Sequence, residues 1–229
     1  NYWLGGDGQP VGFMDAVVGG RSAGVPGTPM LLEMLHNKYG RLPLGDLLRP
    51  AIEAAEDGFE VSGRLADAIP LARGLDTFET SRGYFFNEDG TPLAEGTLLR
   101  NPGYARALRL FADRGSAPFY TGQIARDIVA ALRTEENPGI LTLEDFASYE
   151  VIERDPVCID YRGHEVCGMG PPSSGGLTVG QMLGMLEEFD LPALGEGPRA
   201  RHLFAEASRL AFADRALYMA DSDFVNMPQ

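Results

Sequence analysis

Apolar residues recur at helical spacing in several separate stretches, and glycine or proline punctuates nearly all of them. In "PMLLEMLHNKYG", Leu31, Leu32, Met34 and Leu35 follow Pro29, and Gly40 offers a C-terminal stop. "PLGDLLRPAIEAAEDG" repeats the pattern; Pro50 is expected to break it or restart it as a second helix, and Gly58 to end it. "VSGRLADAIPLARGL" predicts a further short helix, and "NPGYARALRLFADRG" a capped helix that stops at Gly115. In "YTGQIARDIVAALRT", Ile124, Ile128, Val129 and Leu132 share one face. "LTLEDFASYE" sets Thr142 three residues before Asp145, the spacing of a capping box. The last two predicted helices run from Val179 to Phe189 and from about Arg199 to Tyr218.

Between these helices the pattern is extended or turn-like. The first 27 residues are glycine-rich and read as loop, with a tight turn at "GDGQP" between two extended pieces. Thr77 to Arg100 is mixed, with turns at "NEDG" and "EGT". "PVCIDYRGHEVCGM" reads as two short strands around Arg162-Gly163. Strands that come as hairpins, without regular alternation with helices, argue for an α+β class and against a doubly wound sheet.

The two cysteines lie on that hairpin. A two-residue loop at Arg162-Gly163 sets Cys158 across from Cys167, where a disulfide can form. A G1 bulge at Gly163 would slip the pairing by one residue and part the thiols, and the balance lies with the unbridged reading. A metal site is less favoured still, because His164 and two cysteines do not make a ligand pattern. The 229 residues suit one large domain or two small ones. A formal net charge of −14 disfavours nucleic acid as a partner. No apolar run is long enough to span a bilayer, and no signal peptide is read at the start.

The stretch most like an active site is "GPPSSGG", Gly170 to Gly176. A nucleophile elbow needs glycine two residues before the serine, but Pro171 precedes Ser173 at that distance and Pro172 precedes Ser174. Gly176 and Leu177 stand where a serine–lysine motif needs lysine, and they also replace the Lys-Ser/Thr pair of a phosphate loop. What remains is a helix start, with Ser173 or Ser174 as cap and glycines that permit close approach. Such a terminus can hold an anion, though the structural reading is preferred to a ligand contact.

The three histidines, His36, His164 and His202, are far apart in sequence and read as surface or satisfied residues. "EEFD" and "TEEN" read as solvated carboxylate runs. In "ADRALYMADSDF", Asp214 and Arg215 are expected to order the following loop by pairing with Asp221 and Asp223. No self-contained catalytic constellation emerges.

The order of several stretches resembles the gamma-glutamyltranspeptidase family. "GRSAGVPGTPMLLEMLHNKYGRLPLGDLLRPAIEAAEDGFEV" is similar to its "GxPG" loop, "YG-x-LP" and "PAI-x-A-x-x-GF" run. "FYTGQIARDIV" and "GILTLEDFASYEVIERDPVCIDYRGHEV" look like "FY-x-G-x-IA" and "LT-x-x-DL-x-x-Y". "MGPPSSGGLTVGQMLGMLEEFD" resembles the "PPPSSGG" landmark, with Gly170 in place of the first proline. "AEASRLAFADRALYMADSDFVNMP" resembles the motif that follows, with Ser222-Asp223 standing at its "P-D-x-F" aspartate. Each motif alone is weak, and their shared order carries the resemblance.

The resemblance implies the helix-rich portion of an αββα N-terminal-nucleophile hydrolase sandwich, with a few antiparallel hairpins. It implies a precursor that cuts itself, and a new N-terminal threonine on a small subunit that attacks gamma-glutamyl amides such as glutathione. Residues 1–229 then correspond to the middle and C-terminal part of the large subunit, with the small subunit of the same precursor as partner and no cofactor. Neither Asn1 nor any of the nine threonines matches the nucleophile, so no catalytic residue is carried onto this numbering. Ser173, Ser174, Gly175 and Gly176 are the pocket-proximal candidates. The isolated chain is expected to be inactive and prone to self-association, and the family suggests a periplasmic or extracellular location. A non-catalytic binding module of the same fold and a glutaryl-type acylase are the alternatives.

Overall fold

Glycine and proline divide the helices largely where the sequence places the stops, and the exceptions have physical causes. The computed structural model describes residues 3–135 and 137–227, and the chain falls into two units, Asn1–Val151 and Ile152–Gln229. Asn1 and the Glu136 of the "TEEN" run lie outside the described residues.

The first unit opens with the expected turn. Leu4 bridges Pro10, and the Val11 N–H donates to the Trp3 carbonyl at 2.9 Å. The following residues are less irregular than expected: α1 (Phe13–Val17) and a 3₁₀ turn (Gly20–Ser22) interrupt the loop. Neither has the length for periodicity to reveal it. Helix α2 (Thr28–Tyr39) ends at Gly40, whose N–H donates to the His36 carbonyl. Gly40 is extended there, with φ −63°, so close approach of His36 calls for glycine and a left-handed backbone does not.

Helix α3 (Leu44–Asp57) runs straight through Pro50, correcting the expected break. Proline deprives the Asp46 carbonyl of its helical donor and costs about 3 kcal/mol or more inside a helix. The next turn repays this. Ile52 and Ala55 are buried in one core with Ala105 and Leu108, which lie further along the chain, and Leu48 packs alongside. Burial of each large aliphatic side chain contributes about 1.5–3 kcal/mol. Gly58 then ends α3 at φ +94°, as its position predicts.

β1 (Phe59–Glu60) leads into α4 (Gly63–Ala68), capped by the Ser62 hydroxyl at 3.3 Å from the Leu65 N–H, and then into a 3₁₀ turn (Ile69–Leu71). α5 (Glu79–Phe85) is a helix the mixed reading of this region missed. It has no stripe of its own: Tyr84 and Phe85 dock on a second core of Val61, Ile69, Leu93 and Leu99. β2 (Leu98–Leu99) pairs antiparallel with β1, Phe59 opposite Leu99. α6 (Pro102–Arg114) is capped by Asn101 Oδ1, 2.9 Å from the Tyr104 N–H, and stops at Gly115 with φ +63°. It supplies Ala105 and Leu108 to the α3 core.

Short α7 (Ala117–Tyr120), α8 (Gln123–Ala131) and α9 (Leu143–Ala147) complete the unit. The capping box of α9 forms as predicted, with Thr142 and Asp145 exchanging bonds. The Thr142 N–H and hydroxyl hold the Asp145 carboxyl below its usual range. Polar bonds tie α2 to α7: the Ser116 hydroxyl donates to Glu33, and the Tyr120 hydroxyl donates to the Pro26 carbonyl at 2.6 Å.

In the second unit, β3 (Val157–Tyr161) and β4 (His164–Gly168) form the expected hairpin. α10 (Gly175–Glu187) and the short α11 (Leu191–Leu194) follow, and then α12 (Pro198–Tyr218), which packs along α10. Ala207 and Ala211 are buried, while Phe204, Leu210, Phe212 and Leu217 stay exposed around α12.

Phe146 is 0% exposed. Phe146→Ala is expected to lower the unfolding free energy of the first unit by about 3–5 kcal/mol in urea titration, because a buried phenyl ring leaves a cavity. Ile140→Ala, at a side chain 65% exposed, serves as the near-neutral control.

Candidate functional site

The hairpin sets the site. Arg162 and Gly163 both have positive φ, 52° and 77°, the pattern of a two-residue type I′ loop. Tyr161 therefore pairs with His164, and the register brings Cys158 opposite Cys167 with Cα atoms 4.1 Å apart. So short a separation marks a position without ladder hydrogen bonds, where side chains approach closest. The two sulfurs are bonded, which corrects the unbridged reading; the bulge that would have parted them does not form. Glu165 brings a carboxylate within 4.8 Å of both sulfurs. In the bridged form the sulfurs are not thiolates, and so are not metal ligands.

β4 leads directly into the motif. A cis bond joins Pro171 to Pro172, and the Ser173 N–H donates to the Gly170 carbonyl at 3.1 Å, closing a tight turn. The Gly176 N–H donates to the Met169 carbonyl at 3.3 Å. A Cβ on Gly168 would lie 2.7 Å from the Gly176 Cα, and one on Gly176 would lie 2.7 Å from the Met169 carbonyl oxygen. Backbone meets backbone here, so both positions require glycine. One turn on, Gly180 faces Ile159 of β3, where a Cβ would lie 3.3 Å from the Ile159 side chain, a tight fit.

Helix α10 begins at Gly175, four residues before the expected Val179. Ser174 takes the cap position but not the cap bond. Its backbone is already helical, and its hydroxyl accepts from Arg215 Nε of α12 at 2.9 Å. The expected capping serine is thus a link between two helices. The N–H groups of Gly175 and Leu177 have no acceptor among the described residues, as is usual in a first helical turn, and such donors suit an anion.

Beside this link lies a groove of about 450 Å³, lined by Leu177, Gln181, Asp214, Arg215, Tyr218, Met219 and Met227. Gln181 Nε2 donates to Asp214 at 3.1 Å across α10 and α12. Thr178 is buried, with its hydroxyl 4.0 Å from the Met219 sulfur. The loop after α12 carries an ion pair, but a different one from that expected. Asp223 pairs with Arg154, while Arg215 is engaged by Ser174. The Arg154 guanidinium holds the Asp223 carboxyl below its usual range.

A larger concavity, about 750 Å³, lies within the first unit between Met14, Arg73, Phe78 and Asn137. Asn137 Nδ2 donates to the carbonyls of Asp15 (3.1 Å), Ala16 (3.2 Å) and Val18 (2.7 Å), holding the end of α1. None of Ser173 to Gly176 lines it. His36 Nε2 is bonded to the Leu42 carbonyl at 2.8 Å, and His164 and His202 are exposed.

The site can hold and orient, but among the described residues it contains no nucleophile–base pair. Neither Ser173 nor Ser174 bonds a histidine, lysine or carboxylate among the described residues. A guanidinium is a hydrogen-bond donor only and offers no general base. The Arg215–Ser174 link escaped the sequence reading because capping is a local rule, and 41 residues separate the partners. The two glycine contacts had a visible signal, the glycines themselves.

Set beside known proteins, the chain matches the gamma-glutamyltranspeptidase family profile over residues 4–229, and it belongs to that family. It is 40% identical over 210 residues to the glutathione hydrolase proenzyme of Escherichia coli K12, covering 90% of this chain and 36% of that protein. It is 37% identical over 213 residues to the acylase ACY 1 proenzyme of Pseudomonas sp. strain SE83, covering 93% of this chain and 38% of that one. Among solved structures, Helicobacter pylori gamma-glutamyltranspeptidase superposes with TM-score 0.92 at 40% identity, covering 99% of this chain and 64% of that one. The Bacillus anthracis transpeptidase CapD does so with TM-score 0.72 at 33% identity, covering 84% and 66%. The chain thus spans a little over a third of the length of these curated relatives. Its α+β class, helix-rich with antiparallel hairpins, is the one expected from the resemblance.

Gly176→Ala is expected to destabilise the second unit by about 1–3 kcal/mol, because backbone must move to admit the methyl group. Gly175→Ala, whose new methyl would meet only the Ser173 hydroxyl at 3.9 Å, should be neutral or slightly stabilising. Thermal melts of the two variants check this; equal losses would contradict it.

Proposed function

We propose that the chain is the middle and C-terminal part of the large subunit of a gamma-glutamyltranspeptidase-type enzyme. The enzyme cleaves gamma-glutamyl amides, glutathione and its conjugates among them, and passes the gamma-glutamyl group to water or to an amino acid or peptide. An N-terminal threonine on a small subunit of the same precursor is the nucleophile, its free amine acting as base. The carrying observation is the family match over residues 4–229, joined to a backbone that follows a gamma-glutamyltranspeptidase along 99% of the chain. The proenzyme names of the curated relatives support a processed, two-subunit parent.

In this reading the chain supplies scaffold, and Ser173 to Gly176 line the surface against which the small subunit packs. The lack of a nucleophile–base pair at Ser173 and Ser174 supports that role. So does the exposed area. The accessible surface is 15668 Å², whereas two separate compact bodies of these sizes would expose about 12,000 Å². Apolar faces at Leu31, Leu32 and Leu35 and around α12 are part of what a partner would cover. Among the described residues no helix is long and apolar enough to cross a membrane. The disulfide supports an oxidising compartment, periplasmic or extracellular.

A second reading, a glutaryl-type acylase, is favoured by the 37% identity to the ACY 1 proenzymes. Expression of the whole reading frame and assay with gamma-glutamyl-p-nitroanilide and glutaryl-p-nitroanilide separates the two. Turnover of the gamma-glutamyl amide alone is expected, and turnover of the glutaryl amide alone would replace the first reading by the second. The 229-residue chain by itself should give no turnover, and release of p-nitroaniline above background would sink the assignment of the nucleophile elsewhere. On size-exclusion chromatography the isolated chain should elute as self-associated species; a clean monomer at high concentration would contradict the uncovered faces.

A further inference from the structure

We propose that the Cys158–Cys167 bridge is a thiol-sensitive clamp on the turn that carries Ser173 to Gly176. A hairpin of two five-residue strands is marginal by itself in water. This one also carries a like-charge pair: Asp160 stands directly opposite Glu165, on the same face as the disulfide and one pair removed from it along that face. Like charges at such positions weaken a hairpin. The bridge offsets both deficits.

The two ends of the hairpin are held differently. At the loop, the Arg162 N–H donates to Glu187 Oε1 at 2.8 Å and Arg162 Nη2 donates to the Phe189 carbonyl at 2.7 Å, fastening that end to the end of α10. The open end is held by the disulfide, by the backbone contact that follows it, and by Val157 and Ile159 of β3 against Gly170 and Gly180. Cys167 immediately precedes Gly168, and Gly168 abuts Gly176. Release of Cys167 therefore loosens the contact that fixes the start of α10, while the loop end stays fastened.

Both cysteines are exposed, so a small thiol reaches the bridge. A thiolate of the reductant attacks one sulfur, forms a mixed disulfide and expels the other cysteine as a thiolate, which takes a proton from water. A second thiol completes the exchange. Two thiols are oxidised to one disulfide, and Cys158 and Cys167 are left as two thiols. The clamp concerns the fold of the second unit and is independent of the chemistry proposed above.

Hydrogen exchange read by mass spectrometry on the full chain, before and after dithiothreitol, tests the clamp, with free thiols counted by a thiol reagent in each state. Reduction should expose two thiols per chain and speed exchange of the Gly176 and Thr178 amides by about tenfold or more, with the Ala105 amide of α6 unchanged. Reoxidation should restore protection. A chain with Cys158→Ser and Cys167→Ser should exchange fast at the same amides and ignore dithiothreitol, and Asp160→Asn should slow exchange in the reduced chain. Unchanged protection at Gly176 and Thr178 with both thiols titrated would overturn the proposal, as would two titratable thiols in the chain before reduction.

Discussion

No side chain can stand between the end of β4 and the start of α10. Gly168 and Gly176 touch through their backbones, and the rest of the second unit is arranged around that contact. It forces the chain to reverse within seven residues, which the Gly170–Ser173 turn achieves. It lays α10 on the hairpin closely enough that a Cβ on Gly180 would lie 3.3 Å from the Ile159 side chain. α12 then packs along α10, and Arg215 reaches back to Ser174. Such close spacing tolerates few sequences, and among the described residues neither Ser173 nor Ser174 bonds a histidine, lysine or carboxylate.

The first unit rests on a different kind of contact. α3 and α6 share a small aliphatic core, close enough for alanines at Ala55 and Ala105 to be fully or nearly buried. Tight packing of that sort carries Pro50 inside a continuous helix. Polar links do the rest of the positioning: Glu33 with Ser116, Tyr120 with Pro26, Arg109 with Glu56. The last pair is exposed and is worth little by itself.

Several helix starts and stops with local determinants were legible in the sequence, although α11, capped by Asp190, was not read. Thr142 with Asp145, Asn101, Gly58 and Gly115 all act as read. The hairpin was legible too, but its register was not, because one residue of bulge would have changed it and nothing in "YRGH" distinguishes the alternatives. What escaped was set by tertiary context. Pro50 stays helical because of α6, α5 exists because Tyr84 and Phe85 have a core to enter, and Ser174 bonds Arg215 instead of its own helix. The family could be read from motif order.

The Asn137 side chain has a consequence for how the first unit forms. Its amide gathers the carbonyls of Asp15, Ala16 and Val18, and the Val18 partner lies 119 residues away. Closing so long a loop costs conformational entropy that no local bond repays beforehand. The α9 capping box spans three residues and the Arg162–Gly163 loop two, so both can form while the chain is still open. The α1 segment, although it is made before Asn137, therefore reaches its place late, after the chain as far as Asn137 exists to receive it.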